Sequence, residues 1–491
     1  MMMLIMFMIF LPFILVVFLL KHFSHDQLPP GPYLWQILRN ISIFINTPHI
    51  AFNNLSKIYG PLISIRIGGQ LVVVTSSQTT AKEILRHRSF SGRFIPALYY
   101  NIPGTSHLSV VSAKQCNDTW KSLRAIGQTY LFSSKAIESN ALVRKNKAME
   151  MVNYLRIKEG EIVNIENVIF ATLSNMTSNI LSSRNLFSID LESIADRKLV
   201  KFIHEVVEKA ITSPGLSDLF PILEKIDFWT KRKAMDMHRL IKFAWGDIIK
   251  ERRASNRPRD SEQDFFDVLA ENACSDDQIA SLLMEFLTAG TYTTTIVTVA
   301  LMVQLTKNQE IISRIRDEVS NQAFDGHAIN DSRLSECQYL QACVKETLRL
   351  HTPGEFIIPH RAIETCKFNN YTIPKGTVML VNSWAIHSDP SNWEDPGSFK
   401  PERFLGTNID FMGAHFQFLP FSTGQRMCPG ANVAVKNVQL MVANLLHYFD
   451  WNITDGVNYS NADKMYKFTT TSRKEKPLCL IPKIREQHMF G

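Results

Sequence analysis

Phe421-Ser422-Thr423-Gly424-Gln425-Arg426-Met427-Cys428-Pro429-Gly430 stands near the end of a 491-residue chain and has the spacing Phe-x-x-Gly-x-Arg-x-Cys-x-Gly. Each fixed position has its own work around a single iron atom. Cys428 offers a thiolate, the ligand that pushes electron density onto a haem iron and favours O–O cleavage. Arg426 presents a fork of donors suited to a haem propionate. Gly424 and Gly430 let the backbone turn tightly and come close to a ligand. Phe421 can pack beside the sulfur and shield it. A lone cysteine is usually an inert buried thiol, but here five positions fit one purpose together.

Working outward, residues 430–448 read as a helix, which places Cys428 before a helix N-terminus whose dipole stabilises a thiolate. Upstream, 276–306 reads as one long helix, with Ser275 as N-cap and Asp276 and Asp277 in its first turn. It is apolar on several sides, as a buried central helix is. It carries Ala289-Gly290-Thr291-Tyr292-Thr293-Thr294. Gly290 costs about 1 kcal/mol in a helix, tolerable if it makes room over a flat cofactor. The Thr293 hydroxyl can bond back to a carbonyl and order water. Residues 334–351 form a further helix, in which Glu346 and Arg349 are three apart. Trp120 and Arg124, four apart, share a helical face, where an indole donor and a cation suit a propionate. Leu62–Ile67 and Leu71–Val74 read as a hairpin around Gly68-Gly69. After residue 351, frequent Pro and Gly punctuate short strands and loops, and 464–482 reads as a strand pair. The fold class expected is mainly α with a smaller β portion.

Composition is that of a globular protein, with 45% apolar and 20% charged residues. The net charge of +7 fits an anionic membrane surface or an acidic protein partner. No basic cluster with interleaved aromatics occurs, so nucleic acid is set aside. Seven cysteines, an odd number with no CxxC pair, argue against a disulfide framework and a zinc cluster. Residues 1–20 contain no charge and no polar side chain, and at about 1.5 Å per residue they match a bilayer core. A cleaved signal peptide is the rival reading, but it would need a basic start, a shorter apolar run and a small-residue cleavage site. Lys21 follows the apolar run. Residues 21–32 form a linker ending in the stiff cluster Pro29-Pro30-Gly31-Pro32.

The Cys428 segment resembles the haem-thiolate loop of the cytochrome P-450 superfamily, and the resemblance extends over nearly the whole chain. It implies the cytochrome P-450 fold with one N-terminal transmembrane helix: an anchor at 1–20, a hinge at 21–32 and a haem-binding catalytic domain at 33–491. The cofactor implied is heme b, with Cys428 as its metal ligand and Arg426, Trp120, Arg124, Arg361, Phe421 and Gly430 around it. His360 would bind the same carboxylate or sit at the pocket edge. Glu346 and Arg349, joined by Arg403 of Pro401-Glu402-Arg403-Phe404, would form a buried structural triad. Ala289 to Thr294 resembles the oxygen-activation motif, giving catalytic roles to Thr293, Gly290 and Tyr292. Tyr292 departs from the motif, because it stands where an acid is usual and a phenol with a pKa near 10 relays protons poorly. Either Tyr292 packs and water relays through Thr293, or weak proton delivery diverts the reaction towards coupling or rearrangement. The substrate pocket implied includes Ala289, Phe286, Glu355, Phe356 and Phe468, with Glu355 meeting a cationic amine or lying in solvent.

Leu340–Arg349 is similar to plant microsomal members, and Ile358–Arg361, Glu364–Cys366 and Tyr371–Gly376 resemble the alkaloid group that includes berbamunine synthase, N-methylcoclaurine hydroxylase and littorine mutase. The function implied is oxidation of a small hydrophobic plant metabolite such as an alkaloid. It would use O2 and electrons from NADPH-cytochrome P-450 reductase, at the endoplasmic reticulum membrane with the catalytic domain in the cytosol. Phenol coupling, skeletal rearrangement, a reductase-independent isomerase or lyase, and a haem-binding sensor remain as alternatives. Lys121, Arg124 and Arg426 would lie at or near an acidic reductase's docking face.

Overall fold

The computed structural model describes residues 28–486 except for 40, 104–107, 208–214, 255–262, 273, 323–328, 330–332, 454–465, 469–471 and 475–476. The apolar stretch 1–20 and most of the linker lie outside the described residues. The helices that position the site are α1 (Pro48–Tyr59), α2 (Asp118–Gly127), α3 (Ala141–Ile157), α4 (Ile165–Ser182), α5 (Ile194–Glu205), α6 (Phe228–Ala254), α7 (Asp276–Thr306), α8 (Gln309–Gln322), α9 (Gln338–Leu350) and α10 (Ala431–Tyr448). Among the strands are β1 (Leu62–Ile67), β2 (Gln70–Thr75), β3 (Gly92–Arg93), β4 (His360–Arg361), β5 (Val378–Val381), β6 (Phe449–Ile453) and β7 (Cys479–Ile484).

Helix α7 is the axis of the molecule. Its N-terminus is closed by a capping box between Ser275 and Gln278, with Asp276 and Asp277 in the first turn, so the expected start is borne out. Its C-terminal half packs into one apolar core with α3, α4, α9 and α10, through residues such as Leu301, Leu173, Leu340 and Leu445. Its N-terminal half packs into a second core with α5 and α6, through Leu283, Phe202 and Trp245. The helix is long and apolar enough to cross a bilayer but is largely buried inside the protein. Its many threonines do not break it. Thr293, Thr294, Thr295 and Thr298 each donate to the carbonyl four residues back, at 2.6–2.9 Å, so each hydroxyl is satisfied within the helix.

The five-stranded sheet runs β1-β2-β5-β4-β3, with β2 and β5 parallel and the other pairs antiparallel. The hairpin read at 62–74 is β1–β2. Its register puts His360 opposite Arg93 and Met379, and Arg361 opposite Gly92 and Val378.

Two expected elements differ. The helix read over 334–351 is a 3-10 turn at Arg333–Glu336 followed by α9. The break falls there because the Glu318 carboxylate on α8 accepts the Tyr339 and Leu340 N–H groups, both at 2.9 Å, and so caps α9 from outside. The strand pair read over 464–482 is a short hairpin, Tyr466–Phe468 with Ser472–Lys474, and β7, which pairs instead with β6.

Candidate active site

A cavity of about 520 Å³ lies between α7 and the Cys428 loop. Its described lining is mostly apolar and holds one cysteine, Cys428, and no histidine. The loop that carries Cys428 is folded by its own backbone. The Cys428 N–H donates to the Phe421 carbonyl at 3.0 Å, and the Met427 N–H to Gly424 at 3.1 Å. Gly424 has φ +74°, and a Cβ there would meet the Leu85 carbonyl oxygen at 2.5 Å, so both conformation and space demand glycine. Gly430 is different. Its φ of −88° suits any residue, and a Cβ would meet Phe132 in ordinary contact at 3.6 Å, so a tight turn is not its reason. Enclosed by protein yet open to the cavity, Cys428 has a thiol pushed up by burial, against which the Gly430 N–H and the Arg124 charge pull.

Beside this loop lies a cluster of cations. Arg93 on β3 donates to the Ile358 carbonyl. Arg426 donates to Ser91 and Ala113 carbonyls at 3.0 and 2.7 Å, and Arg124 to the Met427 carbonyl at 2.6 Å. No carboxylate pairs with these three among the described residues. Burial, then the neighbouring Arg426 charge, lowers Arg93 to about 9. His360 turns inward on β4, its Nδ1 2.8 Å from the Phe90 carbonyl, and burial followed by the Arg93 charge lowers it to about 3. Arg93 Nε and Arg426 Nη1 are buried with no acceptor among the described residues, whereas neutral His360, whose Nδ1 donates to the Phe90 carbonyl, presents an unprotonated Nε2 that is itself an acceptor. Buried N–H groups are rarely left so, and cations without a counter-charge call for an anion. A dianionic, flat ligand such as haem, with its carboxylates at this cluster and its metal at Cys428, meets both needs.

Two of the expected propionate partners are placed otherwise. Arg361 points to the opposite side of its strand from His360, donates to the Gly376 carbonyl at 3.2 Å and is not among the cavity residues. Adjacent strand residues face opposite ways, so only one of this pair can turn inward. The Trp120 indole N–H is committed to the Val110 carbonyl at 2.9 Å. Its ring instead supports the cluster, with the guanidinium carbons of Arg426 and Arg124 at 4.9 and 5.8 Å from its centre. Arg93 was missed in the sequence. Its one local signal is the preceding Gly92, where a Cβ would meet the Arg361 carbonyl oxygen at 2.7 Å.

On α7, Ala289, Gly290 and Thr293 line the cavity, and Thr293 Oγ1 donates to the Ala289 carbonyl at 2.8 Å. A Cβ at Gly290 would meet only Thr177, at 3.8 Å, so crowding by the described protein does not impose this glycine. Tyr292 is not among the cavity residues; it is 4% exposed and its ring meets His204 of α5 edge-on at 5.1 Å. Phe286 and Phe356 line the cavity. Glu355 does not, and at 1% exposed it is no solvated residue either. The Phe468 side chain lies outside what is described.

Glu346, Arg349 and Arg403 converge. Glu346 accepts both Arg349 donors at 2.7 and 2.8 Å, Arg403 Nε at 3.2 Å and the Lys400 N–H at 2.9 Å. Arg349 also donates to the His387 carbonyl at 2.9 Å, and His387 Nε2 accepts the Leu419 N–H at 2.9 Å. The triad therefore reaches the segment two residues before Phe421 through His387, which the sequence did not single out.

The cytochrome P450 family profile matches residues 29–479. A probable (S)-N-methylcoclaurine 3'-hydroxylase isozyme 2 from Coptis japonica is 38% identical over 96% of this chain and 96% of its own. Corytuberine synthase from Coptis japonica is 35% identical over 97% of this chain and 98% of its own. A zebra fish cytochrome P450 solved with abiraterone superposes with a TM-score of 0.73 at 21% identity, covering 90% of this chain and 100% of that one, and so shares the fold. With the thiol, the cation cluster and the threonine-bearing helix around one cavity, these matches establish that the chain belongs to the cytochrome P450 family of haem-dependent monooxygenases.

Proposed function

We propose that this chain hydroxylates an aromatic amine alkaloid. Cys428 would ligate haem, and Arg93, Arg124 and Arg426 would hold its propionates. The observation that carries this is the shared cavity: the one lining cysteine and Thr293 face the same apolar space. Relatives support the substrate class, since the matched hydroxylases are named for N-methylcoclaurine, and a 34% identical berbamunine synthase comes from Berberis stolonifera. Held by a thiolate, haem supplies the activation of dioxygen. The chain's own residues do the rest. Three arginine side chains would fix the cofactor's carboxylates. Apolar walls keep bulk water from the reacting centre. Thr293, its hydroxyl hydrogen on the Ala289 carbonyl, accepts from and so orders a water that hands on a proton. Tyr292 packs against α5, which supports water relay through Thr293 over the reading in which a phenol weakens proton delivery.

Family membership brings a small-molecule substrate, O2 and a redox partner. The partner proposed is NADPH-cytochrome P450 reductase. Arg124 and Arg426 are divided between backbone carbonyls and the haem carboxylates, so the surface charge beside the loop is Lys121, which pairs with Asp118 at 2.9 Å. Reversing it (Lys121→Glu) lowers the first-electron reduction rate, more so at low salt. Association with a membrane accords with the plant relatives, and two exposed apolar segments support it. One holds Trp35 and Ile45, the other Ile222 and Trp229 at 83% exposed each. Both adjoin the β1–β2 hairpin, through Ser64 to Pro30 and Gly69 to Leu219. We place the anchor in the endoplasmic reticulum membrane with this face against it.

The test is turnover in membranes with reductase and NADPH under heavy dioxygen, on N-methylcoclaurine and related amines. Heavy oxygen in the product is expected. An NADPH-dependent product without it would move the assignment to coupling or rearrangement, an NADPH-independent product to an isomerase, and no product from any alkaloid would overturn the substrate class.

A further inference from the structure

Helix α7 carries a carboxylate into a cavity whose described lining is mostly apolar. Glu285, eight residues before Thr293, is buried and is the only acidic residue among those described around the cavity. Its two oxygens are held differently. Oε1 accepts the backbone N–H groups of Val110 and Val111, at 2.8 and 3.1 Å. Oε2 accepts hydroxyls, from Tyr99 at 3.1 Å and from Ser109. The same loop is gripped from below, because the Val110 carbonyl takes the Trp120 indole and the Ala113 carbonyl takes Arg426. Oε1 is thus committed to a fixed backbone. Oε2 is held by rotors, which can turn aside or accept in their turn.

No cation pairs with Glu285 among the described residues. The cavity's three arginines lie at the Cys428 loop, where the haem carboxylates claim them. Burial pushes the Glu285 carboxyl up, and its four donors pull against that. A buried charge stabilised only by dipoles gains most from an opposite charge brought to it in low dielectric.

We infer that Glu285 is the anionic recognition point of the cavity and takes the ammonium of a cationic amine substrate through Oε2. The inference deepens the alkaloid reading above and rests on it, while replacing Glu355 as the residue that meets the amine. The geometry also selects the site of oxidation. Eight residues of helix separate Glu285 from Thr293 by about 12 Å along the axis, so an amine held at one end presents its far aromatic ring to the reacting centre. Glu285 is therefore a specificity residue, not a proton donor to oxygen.

The test is a spectral titration of the ferric holoenzyme, following the spin-state shift of the haem band on ligand binding. The ligands are N-methylcoclaurine and the uncharged N-acetyl counterpart of the same skeleton, then a set of arylalkyl tertiary amines of unrelated skeleton with their amides. The wild type is expected to prefer each amine over its amide by tenfold or more, about 1.4 kcal/mol. In Glu285→Gln, which keeps an oxygen for the loop, that ratio falls to near one. In Glu285→Asp, which keeps the charge, most of it returns. The reduced carbon monoxide spectrum reports that each variant holds haem. A ratio that survives in Glu285→Gln overturns the inference, as does an equal weakening of amine and amide, which would leave Glu285 a loop clamp only. Alkaloid turnover with no charge preference sinks the inference and spares the alkaloid reading. A Glu285-dependent preference confined to the unrelated amines spares the inference and sinks the alkaloid reading.

Discussion

Thr293 and Tyr292 are neighbours with opposite surroundings, one facing the cavity and one packed on His204, because successive helical residues diverge by about 100°. Replacing Thr293 with Ala removes the hydroxyl that orders water. Product formed per NADPH consumed is expected to fall at least tenfold, the low side of what a positioned proton-transfer group contributes, with peroxide released instead. Tyr292→Phe keeps the ring contact and should leave coupling within about twofold, since the residue is remote from the proton path. The two assays are NADPH oxidation and product quantified together. Residues whose placement was legible in the sequence were those set by close spacing: Cys428 before its helix, Thr293 beside Ala289, Glu346 three from Arg349. Residues placed otherwise than expected were those whose orientation depends on a distant partner. Nothing local tells which of His360 and Arg361 turns inward; the register with Arg93 decides it. Glu285 was legible as a carboxylate amid Leu283, Met284, Phe286 and Leu287, but its loop partners come from residues 99–111.

At the scale of elements, the triad locks α9 to the loop before Cys428. Both Glu346 and Arg349 side chains are 0% exposed, so removing one partner leaves an uncompensated buried charge, at a cost of about 3–5 kcal/mol. Glu346→Ala is expected to unfold at lower denaturant and to lose haem on purification, read by the ratio of haem to protein absorbance. His387 extends the same lock. Burial, and then the Arg349 charge, lowers it to about 3 from 6.5, so it is neutral when folded and protonates in the unfolded chain. Between those values the unfolded state binds more protons, and stability must fall as pH drops from about 6.5 towards 3. His387→Gln, which retains an acceptor for Leu419, should flatten that slope in acid denaturation, at some loss of packing. Helix boundaries were the least legible elements, and α9 shows why. Its start is set by Glu318, a side chain from α8 that no pattern within 334–351 announces.

At the scale of the whole molecule, one central helix, one thiol loop and one cation cluster enclose a common space, while an apolar face is left on the outside. The full chain is expected to stay in the membrane pellet through a carbonate wash. A chain without residues 1–20 should still partition to vesicles, and Ile222→Glu with Trp229→Glu should release it, since each change exchanges apolar burial for a charge near hydrocarbon. The mainly helical architecture was legible because its long helices are locally periodic and capped; the pairing of β7 with β6 and of β3 with β4 was not, because it joins segments far apart in the chain. The carbon monoxide difference spectrum of the reduced protein measures most directly whether Cys428 is the iron ligand in this cavity. The wild type should show the strongly red-shifted band that a thiolate ligand produces, and Cys428→Ser should bind less haem and lack that band. A red-shifted band retained in Cys428→Ser would contradict the account.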